Sequence, residues 1–261
     1  MVEKNIKSLL KNGYFIYNVK DKKKLNFLKD DIFKESKKIL KGKIKKNFFN
    51  EFHNINISNQ KLNEYRLKLM KKVNVGEKFS KKGYEIFQEI IQKIFGLDIV
   101  AQKNVNLVIQ KPNDPSQISV HRDAPPNSDY ELVVWVPLVN TFKSKNMYIL
   151  DKNNTSKLIK KIKKFSNNNK KSEKIMDFYY SFAFNKSKKH KLRFGQALIF
   201  WTGLIHCVPE NQEKETRWSL NFRFKNTFSP YGTKGFPDYF AVANSSPITK
   251  LALEKKGSDF N

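Results

Sequence analysis

In the segment SVHRDAPPNSDYELVVWVPL, residues 119–138, His121 and Asp123 stand two residues apart, just ahead of an alternating apolar run. Residues i and i+2 of a strand project from one face, so an imidazole and a carboxylate at this spacing can reach one ion without bending the backbone. A metal site needs a third donor. His206, at the end of the apolar run FGQALIFWTGLIHC (194–207), is the obvious one. His53 and His190 lie in polar surroundings and are expected at the surface. Cys207 is the single cysteine, which excludes an intrachain disulfide and a cysteine-rich zinc site. On a strand it points away from its neighbour His206 and is expected to be a small buried residue rather than a nucleophile.

Two neutral imidazoles and one carboxylate make a facial triad that suits non-haem Fe(II) and leaves the opposite side open, where a chelating cosubstrate and dioxygen can bind. Arg217 follows His206 by eleven residues and opens RWSLNFRF (217–224). Arg217, Ser219, Asn221 and Arg223 share one face of that strand, and Trp218, Leu220, Phe222 and Phe224 the other. An inward row carrying two guanidinium groups needs an anionic ligand, because an unpaired buried charge is costly. A guanidinium fork pairs with a carboxylate through two parallel hydrogen bonds, and a hydroxyl two residues on adds a third. The alternative is a surface strand whose polar face meets water.

These residues must be positioned by strands, and the strands come late in the chain. Residues 1–100 read as mainly helical support with one strand. IKSLLKNG forms a helix stopped by Gly13, and YFIYNV follows as a strand. Asp21 caps a helix with apolar positions at Leu25, Phe27, Leu28, Ile32 and Phe33, and two more helices follow, the last ending at Gly96. From Asn104 onward NVNLVIQ, YELVVWVPL, NMYIL, QALIFW and RWSLNFRF read as strands. The expected fold is α+β with a mainly β core: a double-stranded β-helix (jelly roll, cupin-like) backed by N-terminal helices. The expected organisation is one domain over 1–261, with a jelly-roll core at 101–226, a basic insertion at 152–193 and a C-terminal extension at 227–261. The insertion carries fourteen Lys and Arg against two acids. It reads as a solvated excursion with a short helix in TSKLIKKIKKF and a flexible NNNKKSEK loop, or else as a charged lid over a site for an anionic substrate. The extension is expected to pack over the barrel and end in a helix from Ile248, with closure of the substrate mouth as the alternative.

The formal net charge of +27 concentrates anionic partners around the molecule. The excess is mostly Lys, and Asn, Ile and Phe are over-used with it, as AT-rich codons produce; Arg, which dominates base readout, is scarce. A nucleic-acid groove is therefore not the expected reading of the charge, which also suits small anionic partners such as phosphosugars and dicarboxylates. The N-terminus lacks the apolar core and cleavage site of a leader, and no apolar stretch is long enough to span a bilayer. The expected location is the cytoplasm.

The set HRD, FGQALIFWTGLIHCVPEN and RWS, with NGYFIYNV near the start, resembles the Fe(II)/2-oxoglutarate-dependent oxygenases, in particular their phytanoyl-CoA hydroxylase-like branch. Within that branch, SDYELVVWVPLVNTFKSKNMYIL and RFKNTFSPYG are most similar to oxygenases found sporadically among surface-carbohydrate biosynthesis genes. The resemblance spans Gly13 to about Gly232. It implies His121, Asp123 and His206 as iron ligands, Arg217 as the anchor for the distal carboxylate of 2-oxoglutarate, Ser219 as its R-x-S partner, and Trp135 as an aromatic near the cosubstrate. Arg223, Asn221 and Tyr130 are candidate substrate contacts, Tyr130 because it follows Asp123 closely. Where the branch has a GSH-like segment this chain has MYILDKNNTS, which separates it from acyl-CoA substrates.

The resemblance implies oxidative decarboxylation of 2-oxoglutarate with dioxygen on Fe(II), and hydroxylation of a carbohydrate or nucleotide-sugar-type metabolite. Two rival readings differ in class. The R-x5-R spacing from Arg217 to Arg223 also resembles DNA-alkylation repair dioxygenases, although His206 and Arg217 are closer here than in those enzymes. A non-catalytic jelly-roll protein that binds an anionic ligand would keep the fold and lose the metal.

Overall fold

Gly13, at φ +84°, adopts the left-handed conformation that ends helix α1 (Val2–Asn12) and turns the chain into strand β1 (Tyr14–Asn18). Asp21 caps α2 (Lys22–Ile39) by accepting from the backbone N–H groups of Lys23 and Lys24. After the short α3 (Phe48–Glu51), Ser58 caps α4 (Asn59–Val73), and α5 (Lys78–Phe95) ends at Gly96. The computed structural model describes residues 2–42, 44, 47–114, 118–167 and 172–254.

Strands then dominate. They are β2 (Ile99–Gln102), β3 (Asn106–Gln110), β4 (Ile118–His121), β5 (Glu131–Pro137) and β6 (Tyr148–Ile149). Helices α6 (Lys152–Asn167) and α7 (Ser172–Lys186) interrupt them, and β7 (Lys188–Lys189), β8 (Gln196–Trp201), β9 (His206–Val208) and β10 (Arg217–Asn226) follow. The chain closes with β11 (Phe240–Asn244) and α8 (Pro247–Glu254). All pairings are antiparallel and form two sheets. The large sheet runs β1-β8-β5-β10-β2-β11, with β3 also on β10; the small sheet runs β4-β9-β6-β7.

Strand β10 is the axis of the large sheet. One edge pairs with β5 along most of its length, while the other pairs first with β3 and then with β2. Its apolar face, Trp218, Leu220, Phe222 and Phe224, packs on the helical layer with Leu25, Leu28, Leu69 and Phe87. Trp218 is boxed by the rings of Phe48, Phe49 and Phe52 at centroid distances of 5.1–5.4 Å. Each such fully buried side chain stabilises the fold by about 1.5–3 kcal/mol. Gly83 of α5 lets the helix approach: a Cβ there would lie 2.2 Å from the Phe222 ring. The opposite face of the large sheet meets the small sheet through a second core that includes Val133, Leu198 and Phe200 from one and Met147, Ile149 and Val208 from the other.

Four features go beyond these expectations. A second strand, β2, starts at Ile99, before the expected strand region; it is buried throughout and so lacks the alternation that marks a half-exposed strand. The apolar run 194–207 is not one strand. It breaks at Thr202–Ile205, where the chain passes from the large sheet to the small one, and Gly203 makes room for the Trp201 ring folded against it. The basic insertion is a helical hairpin, with residues 168–171 of the expected loop outside the described residues. It buries Leu158 and Ala183 on Val120, Leu150, Ile205 and Cys207, covering the outer face of the small sheet. The extension adds β11 to the edge of the large sheet before its terminal helix. Among the described residues, no helix is long and apolar enough to cross a membrane.

Candidate metal centre

The two sheets face each other across a cavity of about 330 Å³, and all the site residues singled out by the sequence except Tyr130 line it. His121 and His206 are directly opposed partners in the β4–β9 ladder, so the register of one strand pair places both imidazoles. Their ring centroids are 4.4 Å apart. The Nδ1 atom of His121 lies 2.7 Å from the carbonyl of Ser119, and that of His206 lies 3.0 Å from the carbonyl of Leu204. A carbonyl can only accept, so each Nδ1 carries the proton and each Nε2 keeps its lone pair for a metal. Asp123 lies just past the end of β4 and is held by a turn, its N–H donating to the carbonyl of Thr202 (3.1 Å). One ligand atom from each of His121, Asp123 and His206 lies within 4.8 Å of the others. That is close enough for a single ion.

The electrostatics prepare these groups for a cation. Burial alone would raise the Asp123 pKa, but the His121 ring and the Arg223 guanidinium outweigh it and hold the carboxyl well below the usual range. The nearby Asp123 carboxylate, 3.7 Å from Nε2, raises the His121 pKa. Burial pushes His206 down to about 4, so it is a neutral ligand at physiological pH. Burial also pushes Cys207 up to about 12, and its side chain sits in the core behind the small sheet, as expected of an inert thiol.

Arg217 and Ser219 project from the large sheet into the same cavity. Arg217 is 1% exposed, and burial pulls its pKa down to about 9, with Asp114 acting in the opposite direction. Its Nε and Nη1, the Ser219 hydroxyl and the Asn221 Oδ1 are all buried with no hydrogen-bond partner among the described residues. Buried donors left unpaired cost about 1–3 kcal/mol each, more when charged. The Arg217 and Ser219 donors are therefore shaped for an anion, whereas Asn221 Oδ1 accepts and needs a donor. Trp135, fully buried, forms part of the wall with Val133, Met147, Phe200 and Val208.

Of the three candidate substrate contacts, Asn221 and Arg223 line the cavity and Tyr130 does not. Tyr130 is exposed and lines a separate, mostly apolar pocket of about 550 Å³ beside Leu10, Phe95 and Trp201. The chain turns between Asp123 and β5, so nearness in sequence does not carry Tyr130 to the metal side. Arg223 is committed elsewhere as well: its Nη2 donates to Asp123 Oδ2 at 2.9 Å. His53 and His190 are half-buried rather than at the surface. His53 contacts Thr216, and the His190 ring packs at a tilt against that of Tyr14, with centroids 5.0 Å apart. Sequence reasoning passed over Met70, Asn106, Val108 and Gln102. Asn106 faces Asn221 across the β3–β10 ladder, a pairing that strand alternation could have revealed once the register was known.

No protein-family model matches the sequence, and no curated protein is similar enough in sequence to match. Solved structures do match in fold. A non-haem monooxygenase, ThoJ in complex with nickel, superposes with a TM-score of 0.54 at 13% identity, over 92% of this chain and 83% of that one. The non-haem α-ketoglutarate-dependent carbocyclase SnoK from nogalamycin biosynthesis gives 0.52 at 11% identity, over 90% and 88%. HygX from Streptomyces hygroscopicus, solved with nickel and 2-oxoglutarate bound, gives 0.50 at 7% identity, over 88% and 89%. This chain has the fold of the non-haem oxygenases.

Proposed function

We propose that this protein is a non-haem Fe(II)- and 2-oxoglutarate-dependent oxygenase with a double-stranded β-helix core, of the phytanoyl-CoA hydroxylase-like branch, acting in the cytoplasm on a small anionic or sugar-derived metabolite. One observation carries the reading. Three ligand atoms within 4.8 Å of one another share a cavity with a buried guanidinium, whose Nε and Nη1 lack a hydrogen-bond partner among the described residues, and with the Ser219 hydroxyl, which lacks one too. A metal alone would leave Arg217 and Ser219 unsatisfied, and an anion alone would leave the His-Asp-His group without purpose. A chelating dicarboxylate such as 2-oxoglutarate answers both.

In this reading His121, Asp123 and His206 hold the iron, and Arg217 and Ser219 hold the distal carboxylate. When bound, ferrous iron and 2-oxoglutarate supply the power to oxidise an unactivated C–H bond with dioxygen. The protein binds, orients and excludes. Trp135, Val133, Phe200 and Val208 form an apolar wall that keeps bulk water from the cosubstrate end. Asn106 and Asn221, both half-buried, present amides suited to hydroxyl groups on a substrate. Those amides and the net charge of +27 support a sugar-derived, nucleotide-linked substrate. The fold also serves a carbocyclase and an epimerase, so the product need not be an alcohol.

Succinate release with Fe(II) and 2-oxoglutarate, across a panel of nucleotide sugars and single-stranded oligonucleotides, tests the proposal. Stimulation by one or more nucleotide sugars is expected. Stimulation by oligonucleotides alone would overturn the substrate class, and no succinate under any condition would remove the oxygenase reading.

A further inference from the structure

Arg223 links the metal-ligating carboxylate to a part of the chain far from the H-x-D motif. The residue is 7% exposed. Nη2 donates to Asp123 Oδ2, while Nη1 is shared between Gln102 Oε1 at 3.1 Å and the Tyr239 hydroxyl at 3.3 Å. We infer that Gln102 and Tyr239 are positioning residues that fix Arg223, and through it Asp123, so that the C-terminal extension completes the metal centre. The inference rests on the metal site proposed above.

A guanidinium is a rigid planar fork, so the acceptors at one end fix where the other end points. With both acceptors in place, Nη2 is directed at Oδ2 of Asp123. The other carboxylate oxygen, Oδ1, is left on the side of His121 Nε2, 3.7 Å away. The clamp thus decides which oxygen of Asp123 is offered to an ion. Both acceptors are themselves held. Gln102 is buried, and its amide nitrogen donates to the carbonyl of Asn104, which turns Oε1 toward Arg223. Tyr239 is fixed through its backbone: its N–H donates to the carbonyl of Gly235, and its carbonyl accepts from the N–H of Lys103. The two meet because β11 pairs with β2, with Phe240 opposite Gln102. Strand β11 therefore does more than cover an edge. It delivers a hydroxyl to the outer coordination sphere.

Co(II) binding to the metal-free protein, followed by visible absorption without 2-oxoglutarate, reads this directly. Each single variant, Gln102→Leu or Tyr239→Phe, leaves Nη1 one acceptor and should weaken Co(II) binding only about threefold, below the range for complete removal of an outer-sphere partner. The double variant should weaken it about 10–100-fold, the range seen when outer-sphere partners of a ligand are removed. Lys234→Ala, which removes an ammonium lying 5.1 Å from the Tyr239 ring centroid, should leave the affinity unchanged. An effect of Lys234→Ala equal to that of Tyr239→Phe would reduce the role to packing and overturn the inference. So would a double variant that binds Co(II) within twofold of wild type. Should the double variant fail to fold, Tyr239→Phe alone decides, an unchanged affinity counting against the clamp. Asp123→Ala separates the two layers. If it binds Co(II) like wild type, the metal site itself is wrong; if it loses Co(II) while the double variant does not, only the clamp fails.

Discussion

The small and large sheets serve the cavity in opposite ways. The large sheet offers one long, regular strand, β10, from which Arg217, Ser219, Asn221 and Arg223 project at strict two-residue spacing. The small sheet offers short strands with a register shift between Ile118 and His121, and Asp123 depends on a turn anchored by Thr202. The groups proposed to grip an organic anion sit on a continuous ladder, where several neighbouring strands fix each position. The proposed metal ligands sit on a short, irregular ladder and the turn beyond it, where a bound ion would become part of what holds them. Damage to the small sheet should therefore be all-or-none, and damage to the large sheet graded.

The largest effect is expected at the ligands. His121→Ala, Asp123→Ala or His206→Ala should each reduce Co(II) affinity beyond the about 100-fold that marks the upper range for outer-sphere partners, as read by titration of the metal-free protein. Arg217→Leu should behave differently. Losing a charge-assisted bond worth about 1.5–3 kcal/mol lowers 2-oxoglutarate affinity about 10–150-fold while leaving Co(II) binding near wild type. Because the change also removes a buried charge with unpaired donors, the ligand-free variant should melt no lower than wild type by calorimetry. A loss of metal binding in Arg217→Leu would erase the distinction between the two sheets.

Protons sharpen the same contrast. His206, pushed down to about 4, binds no proton at neutral pH, whereas His121 is raised above the ordinary imidazole value by its contact with Asp123. A proton on His121 must leave before a metal binds. Affinity should therefore fall as pH drops through the raised His121 value and continue downward, by about one decade per pH unit down to about pH 5. A slope of two decades would mean that both imidazoles titrate together. The smallest effect belongs to Ser219→Ala: a single hydroxyl bond to a carboxylate, at about 1.5 kcal/mol, predicts a 2-oxoglutarate affinity about 10-fold weaker, with metal binding intact.

Much of this site was legible in the sequence, for a physical reason. The alternation in RWSLNFRF survives because one face meets helices and the other a polar cavity, so side-chain chemistry records the orientation. The H-x-D pair and distal histidine were legible as chemistry, but not the break at Thr202–Ile205, since an apolar run looks the same whether it crosses between sheets or stays in one. Tyr130 was misplaced because turn geometry decides which way a residue after Asp123 points. Gln102 and Tyr239 left no signal. Their meeting depends on β11 pairing with β2, a contact between segments more than a hundred residues apart.

Anaerobic addition of Fe(II) and 2-oxoglutarate, followed by visible absorption, tests the convergence of these groups most directly. The wild-type protein should develop a charge-transfer band that needs both additions, disappears in His206→Ala and requires more 2-oxoglutarate in Arg217→Leu. A wild-type protein that shows no band, or one that persists undiminished in His206→Ala, would contradict a shared centre for the three ligands and the arginine.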